Sequence, residues 1–158
     1  MAQIQAKPKN LFSWGFDLYE SGNFVLTMDM SWLREGGHFE GGGLQYTLSR
    51  ESVWSGDFLL QANGQTLASA TKPSVWMRRF IVHFDGRELS LSAASVFMRR
   101  FVVIENDTIV GEIAPNSFFS RQCTIDLPDD LSVPVQVFIF WLTILMWRRA
   151  ANAAAASS

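Results

Sequence analysis

The chain has 158 residues, 48% of them hydrophobic and 18% charged, where about a quarter is the usual charged share, and this excludes a disordered segment. Thirteen Lys and Arg against fifteen Asp and Glu leave a formal charge of −2, which argues against a broadly basic nucleic-acid or membrane-surface protein and leaves room only for a local basic patch. A single cysteine, Cys123, rules out an internal disulfide and fits a reducing compartment, and the length suits one domain with one sizeable core.

The first ten residues hold no apolar stretch, so no secretory leader and a cytoplasmic location are expected. From Gly22 to Ile125 short runs rich in Val, Ile, Phe, Thr, Leu and Tyr alternate with breakers at Glu35-Gly36-Gly37, Gly41-Gly42-Gly43, Asn63-Gly64, Asp85-Gly86 and Asn106-Asp107. Asn-Gly and Asp-Gly favour tight hairpins because both central positions need positive φ. The pattern predicts strands over 22–30, 43–49, 57–62, 65–71, 75–84, 87–93, 96–105, 108–113 and 118–126, with one or two more before Ser21. Ten to twelve strands in an antiparallel meander follow.

An internal repeat runs through this region. Residues 74–82 (SVWMRRFIV) recur at 95–103 (SVFMRRFVV) with seven of nine positions identical at a spacing of 21, and a degenerate third copy occupies 117–125 (SFFSRQCTI). Each copy follows a partner strand introduced by a turn, so the unit is a two-stranded hairpin. Side chains on a strand alternate with period two, which predicts Trp76, Phe80, Val82 and Phe84 on one inward face, joined by Phe97, Phe101 and Val103. The same phase places Met77, Arg79, Ile81 and His83 outward with Met98, Arg100 and Val102. It turns Arg78, Arg99 and Arg121 inward, and an unpaired buried guanidinium is too costly, so these are expected as structural arginines at the rim, held by carboxylates or helix-end carbonyls.

After the last strand, Asp129, Asp130 and Pro134 read as a helix start and Arg148-Arg149 as its end, giving a helix at about 134–149 and a low-complexity tail over 151–158. Between Val135 and Trp147 only Gln136 and Thr143 interrupt thirteen residues with no polar face. As a helix this run spans about 20 Å, short of the ~30 Å core of a bilayer. A helix apolar on every side needs a wall on every side. A flat sheet would leave about half of it wet and forfeit several kcal/mol at about 25 cal/mol per Å², whereas a barrel of eleven or twelve strands has room for a helix inside. The expected fold is therefore mainly β: a closed antiparallel barrel of about twelve strands around a buried C-terminal helix, one domain over residues 1–150.

The meander of hairpin units, the stretch Leu127-Pro128-Asp129-Asp130-Leu131-Ser132-Val133-Pro134, and the helix ending Leu145-Met146-Trp147-Arg148-Arg149 together resemble the Tubby C-terminal-like superfamily, which includes phospholipid scramblases and LURP-one-related proteins. The resemblance covers about residues 20 to 150 and is one of architecture. It implies a twelve-stranded barrel around a buried helix, with functions in that superfamily ranging from phosphoinositide binding to lipid-associated roles. No acidic loop of the scramblase calcium type is present, so calcium is not expected.

Chemistry-bearing groups are sparse. His38 and His83 stand 45 residues apart, and neither they nor Cys123 have metal-ligand or nucleophile spacing. The glycine clusters lack the Lys-Ser/Thr ending of a phosphate loop, and no Gly-x-Ser-x-Gly elbow exists. No catalysis, cofactor or metal is expected. Outward Arg79 and Arg100, with Lys72 nearby, are the candidate ligand-binding set for an anionic phospholipid head group or another phosphate-bearing molecule. The competing expectation for both arginines is a cross-strand pair with Glu or Asp. Two other functions stay open: a protein-interaction domain if Trp14, Trp32 and Trp54 form an apolar patch, and a tail anchor through residues 133–147. On the first reading, contact with the membrane is peripheral at most, at its inner face.

Overall fold

The computed structural model describes residues 3–157 apart from 12, 32–34, 52–55, 75–76 and 96–98. Twelve antiparallel strands follow one another around a closed barrel: β1 (Ile4–Pro8), β2 (Phe16–Glu20), β3 (Asn23–Met30), β4 (Gly37–Gly41), β5 (Leu44–Arg50), β6 (Phe58–Ala62), β7 (Gln65–Thr71), β8 (Arg79–Phe84), β9 (Arg87–Ala93), β10 (Phe101–Glu105), β11 (Thr108–Pro115) and β12 (Cys123–Asp126). β1 closes the barrel on β12 through Ile4 opposite Ile125 and Ala6 opposite Cys123. Helix α1 (Val133–Ala156) completes the chain.

The signals at Gly42-Gly43, Asn63-Gly64, Asp85-Gly86 and Asn106-Asp107 act as read, whereas Glu35-Gly36-Gly37 is not a hairpin turn. Ser21-Gly22, Gly42-Gly43, Asn63-Gly64, Asp85-Gly86 and Asn106-Asp107 each supply two successive positive φ angles, the geometry that matches the twist of paired strands. Three hairpins carry the same bulge, with Val25, Leu67 and Val110 as the extra residue. A bulge adds local twist, which helps a sheet curl toward closure.

Inward positions alternate as expected. Phe80, Val82 and Phe84 are buried, as are Phe101 and Val103, whereas Arg79, Ile81 and Arg100 are not. Trp76, Phe97 and Met98 lie outside the described residues. Val102, expected outward, is nearly inaccessible but takes no part in the core cluster.

Every residue from Val135 to Trp147 is buried within the barrel. Phe16 meets Phe140 edge-on at 5.1 Å between ring centroids, Phe58 meets Trp141 at 5.8 Å, and Phe58 meets Phe80 at 5.3 Å. The two polar residues of the run are satisfied locally: Gln136 Nε2 donates to the Leu131 carbonyl at 2.9 Å and Thr143 Oγ1 to the Ile139 carbonyl at 3.2 Å. A helix and a sheet that each lack a complete partner thus bury one another.

Several boundaries differ from the expected ones. β4 was hidden between two glycine clusters that both read as turns; only Gly42-Gly43 is a tight turn, while Gly36-Gly37 ends a longer connection. β8, β10 and β12 begin at Arg79, Phe101 and Cys123, several residues later than expected, because apolar residues of the repeats such as Met77, Phe118 and Phe119 stand in connections. Ser132 is the N-cap of α1 and no acidic residue stands in its first turn; Asp129 and Asp130 form a preceding turn. The helix also runs past Arg149 to Ala156, since alanine has the highest intrinsic helix propensity. Arg148 and Arg149 are therefore not in its last turn.

Candidate functional site

An up-and-down barrel collects alternate connections at opposite ends, and here the two sets are unlike. One end carries the five two-residue turns and the entry of α1. The other carries six connections of six or seven residues, 9–15, 31–36, 51–57, 72–78, 94–100 and 116–122, and the emerging end of the helix. Most of these longer loops are closed alike at the base, with the first residue donating its N–H to the carbonyl of the last: Lys9 to Gly15, Ser31 to Gly36, Glu51 to Asp57, Ala94 to Arg100 and Asn116 to Gln122. Trp32, Trp54, Trp76 and Phe97 fall in these connections by sequence but outside the described residues.

Arg78, Arg99 and Arg121 occupy equivalent positions at the bases of three loops, and all three line one cavity of about 540 Å³ at this end. Leu11, Trp14, Phe16, Trp147, Ala150 and Ala151 supply its apolar walls. Each guanidinium stacks on a ring: Arg78 on Phe101 at 5.3 Å, Arg99 on Trp147 at 5.6 Å, Arg121 on Trp14 at 4.9 Å. For Arg99 and Arg121 loop carbonyls stand where carboxylate or helix-end partners were expected. Arg99 donates to those of Phe118 at 2.6 Å and Ser120 at 2.9 Å, and Arg121 to those of Leu11 at 2.9 Å, Asn10 at 3.3 Å and Ser13. Carbonyls satisfy donors and cancel no charge. Arg121 Nε is buried with no acceptor among the described residues, and burial pulls the Arg78 and Arg121 guanidiniums below their ordinary range. No Asp or Glu lies among the described residues lining the cavity.

The helix is clamped to the same rim. Trp147 Nε1 donates to the Arg99 carbonyl at 2.9 Å and Arg148 to that of Ser31 at 2.9 Å. Arg149 grips Glu35 through two bonds of 2.6 Å, and Arg50 reaches the same carboxylate at 3.2 Å. Hydrogen bonding from Arg149 is the main cause that holds the Glu35 carboxyl below its usual range.

The other sequence-derived candidates are dispersed. Arg79 Nε donates across the strand to Ser90 at 2.9 Å, and Arg100 pairs with Glu112, its Nε at 2.7 Å. Lys72 donates to the Ser74 carbonyl at 3.1 Å, and burial, then the charge of Arg149, lower its pKa. His38 approaches Asp29 at 3.8 Å and His83 approaches Glu88 at 3.7 Å on the outer surface, while Cys123 faces the core, where burial pushes its thiol up. No group of three or more His, Cys, Asp or Glu fit to hold a metal occurs among the described residues. Trp14 packs partly buried against the core beneath Arg121, and Trp32 and Trp54 lie outside the described residues.

Charge divides with the ends. Lys7, Lys9, Arg50, Lys72, Arg78, Arg79, Arg99, Arg100, Arg121, Arg148 and Arg149 lie in the loop half, against Asp17, Asp29, Glu35, Glu51, Asp57 and Glu112. The turn half holds Arg87 against Glu20, Glu40, Asp85, Glu88, Glu105, Asp107, Asp126, Asp129 and Asp130. The formal charges are +5 and −8, and Arg34, outside the described residues, completes the total of −2.

Sequence reasoning turned the arginine triad inward but missed Trp14, Trp147 and Leu11 as its companions. The recurring loop before each second strand was the available signal. Comparison of the chain with protein families, with curated proteins and with solved structures returns no match.

Proposed function

We propose that the chain is a non-enzymatic binding module whose loop-end cavity takes an anionic amphiphile, with a phosphate or similar head on the arginines and an apolar body against Trp14, Leu11 and the helix end. The observation that carries this is the convergence of Arg78, Arg99 and Arg121 on one apolar cavity whose described lining holds no carboxylate. A guanidinium pre-oriented by carbonyls and stacked on a ring loses little entropy on meeting an oxyanion, and it offers paired donors of matching geometry. An apolar cavity with a few convergent polar groups is the usual form of a small-molecule site. Kinship with the Tubby-like superfamily is part of the same proposal, supported by barrel architecture alone.

The outward set of Arg79, Arg100 and Lys72 is less suited to a ligand, since Arg100 is already neutralised by Glu112 and Arg79 is held by Ser90. Burial of residues 135–147 inside the barrel counts against a tail anchor, although α1 is long and apolar enough to span a bilayer by length and composition.

Titration calorimetry with dodecyl phosphate below its micellar concentration tests the proposal, with dodecyl maltoside as the uncharged control. Dodecyl phosphate should bind and the maltoside should bind at least tenfold more weakly. The double variant Arg78→Gln, Arg121→Gln should lose about 10–100-fold, as expected for charge-assisted bonds of about 1.5–3 kcal/mol, with its melting curve retained as a check on folding. Arg79→Gln with Arg100→Gln should bind as the parent does. Equal binding of both amphiphiles, or loss confined to the Arg79 and Arg100 variant, would overturn the assignment.

A further inference from the structure

We infer that the loop end of the barrel docks onto an anionic lipid bilayer, its apolar loop tips entering the head-group region while the arginines behind them meet lipid phosphates. This rests on the reading of the end cavity as a site for anionic amphiphiles, and adds the surface, the orientation and the mode of contact.

Leu11, Phe118 and Phe119 are 85%, 80% and 91% exposed, values that leave them with almost no protein to pack on. Phe118 and Phe119 stand edge to face at 4.9 Å. They sit on the two adjoining loops 9–15 and 116–122, which flank the β1–β12 seam. Met77, half-exposed, is on the separate loop 72–78 of the same end.

The cations stand directly behind these tips. Arg99 bonds the carbonyl of Phe118 itself and Arg121 the carbonyl of Leu11, so each guanidinium lies one peptide group behind an exposed apolar side chain. That order, apolar tip first and cation next, follows the profile of a bilayer interface, in which acyl chains lie below a plane of phosphates. Aromatic rings are favoured at that depth.

Exposed apolar side chains are not confined to this end, for Phe24 is 59% and Ile109 is 61% exposed near the tight turns. What separates the ends is charge. A net +5 against −8 directs the loop end toward an anionic surface and turns the other end away, and this field acts over about a Debye length of 8–10 Å. Tips on separate loops also suit a deformable lipid surface better than a rigid protein, which would need a matching pocket for each.

Flotation of the full-length chain with vesicles of phosphatidylcholine and phosphatidylglycerol (70:30), against pure phosphatidylcholine, tests the inference. Binding should be at least tenfold stronger with phosphatidylglycerol and should fall when salt rises from 0.1 to 0.5 M. The variant Phe118→Ser, Phe119→Ser should lose at least tenfold in vesicle binding while keeping its affinity for dodecyl phosphate. Phe24→Ser with Ile109→Ser should float like the parent. Tip-dependent flotation without dodecyl phosphate binding would support docking and overturn the cavity reading alone. Dodecyl phosphate binding without flotation, flotation unchanged in the Phe118 and Phe119 variant, or a Phe118-dependent dimer of the chain in place of vesicle binding would overturn docking.

Discussion

The two ends of this barrel are built from the same strands and solve different problems. At the turn end, pairs of residues with positive φ reverse the chain in the fewest residues, and each is chosen for backbone geometry. At the loop end, six or seven residues do the same work, and the extra length is spent on side chains: arginines at the bases, rings behind them, apolar tips beyond. Short turns have little room for chemistry, so a barrel with one tightly turned end concentrates what it can bind at the other. The helix joins them, starting after Ser132 among the acidic turns and clamped by Arg148 and Arg149 among the basic loops.

The largest effect expected is loss of the element that both ends surround. Truncation after Pro128 should give insoluble or molten protein, with near-UV circular dichroism lost; a soluble fragment that melts cooperatively would mean that the barrel closes without its helix. Phe140→Ala, at the contact with Phe16, should cost about 3–5 kcal/mol in urea unfolding, because the closed wall cannot collapse into the cavity.

At the turn end, Gly86→Ala should cost about 1–2 kcal/mol although no atom lies within reach of the new methyl group, since the penalty is backbone conformation at φ 71°. At the loop end, stability should depend on pH through Glu35. Its carboxyl is depressed in the folded state, so the contribution of its ion cluster is complete above the usual 4.5 and is lost as pH falls through the lower folded value. Unfolding free energies for the parent and Glu35→Gln should therefore differ at pH 7 and converge as pH falls through the lowered folded value. The smallest effect should come from the tips: Phe118→Ser with Phe119→Ser, or removal of 151–158, should shift stability by no more than about 0.5 kcal/mol. A larger loss would show that the loop end is structural after all.

Much of this contrast was visible in the sequence. Asn63-Gly64, Asp85-Gly86 and Asn106-Asp107 announce tight hairpins because so few residues accept their backbone angles, and the unbroken apolar surface of residues 135–147 demands an enclosing wall. The loop end was harder to read. Phe118 and Phe119 look like strand residues because propensity scales do not distinguish a ring that packs from one that projects into solvent. β4 was masked by the glycines at its two ends, and the Ala-rich tail, which looked featureless, continues the helix. Period-two alternation turned Arg78, Arg99 and Arg121 toward the interior. The partners of Arg99 and Arg121 are carbonyls on loops distant in sequence, as with Arg121 and Leu11, and backbone acceptors leave no mark in composition.

The central claim is that one helix is enclosed by the barrel over residues 135–147 and exposed to solvent beyond Ala150. Hydrogen–deuterium exchange along α1 tests it most directly. Amides of residues 139–147 should exchange only with global unfolding, while those of 151–156 should exchange within seconds. Rapid exchange across 139–147 would contradict the account, because a helix open to solvent on one face has no need of a closed wall.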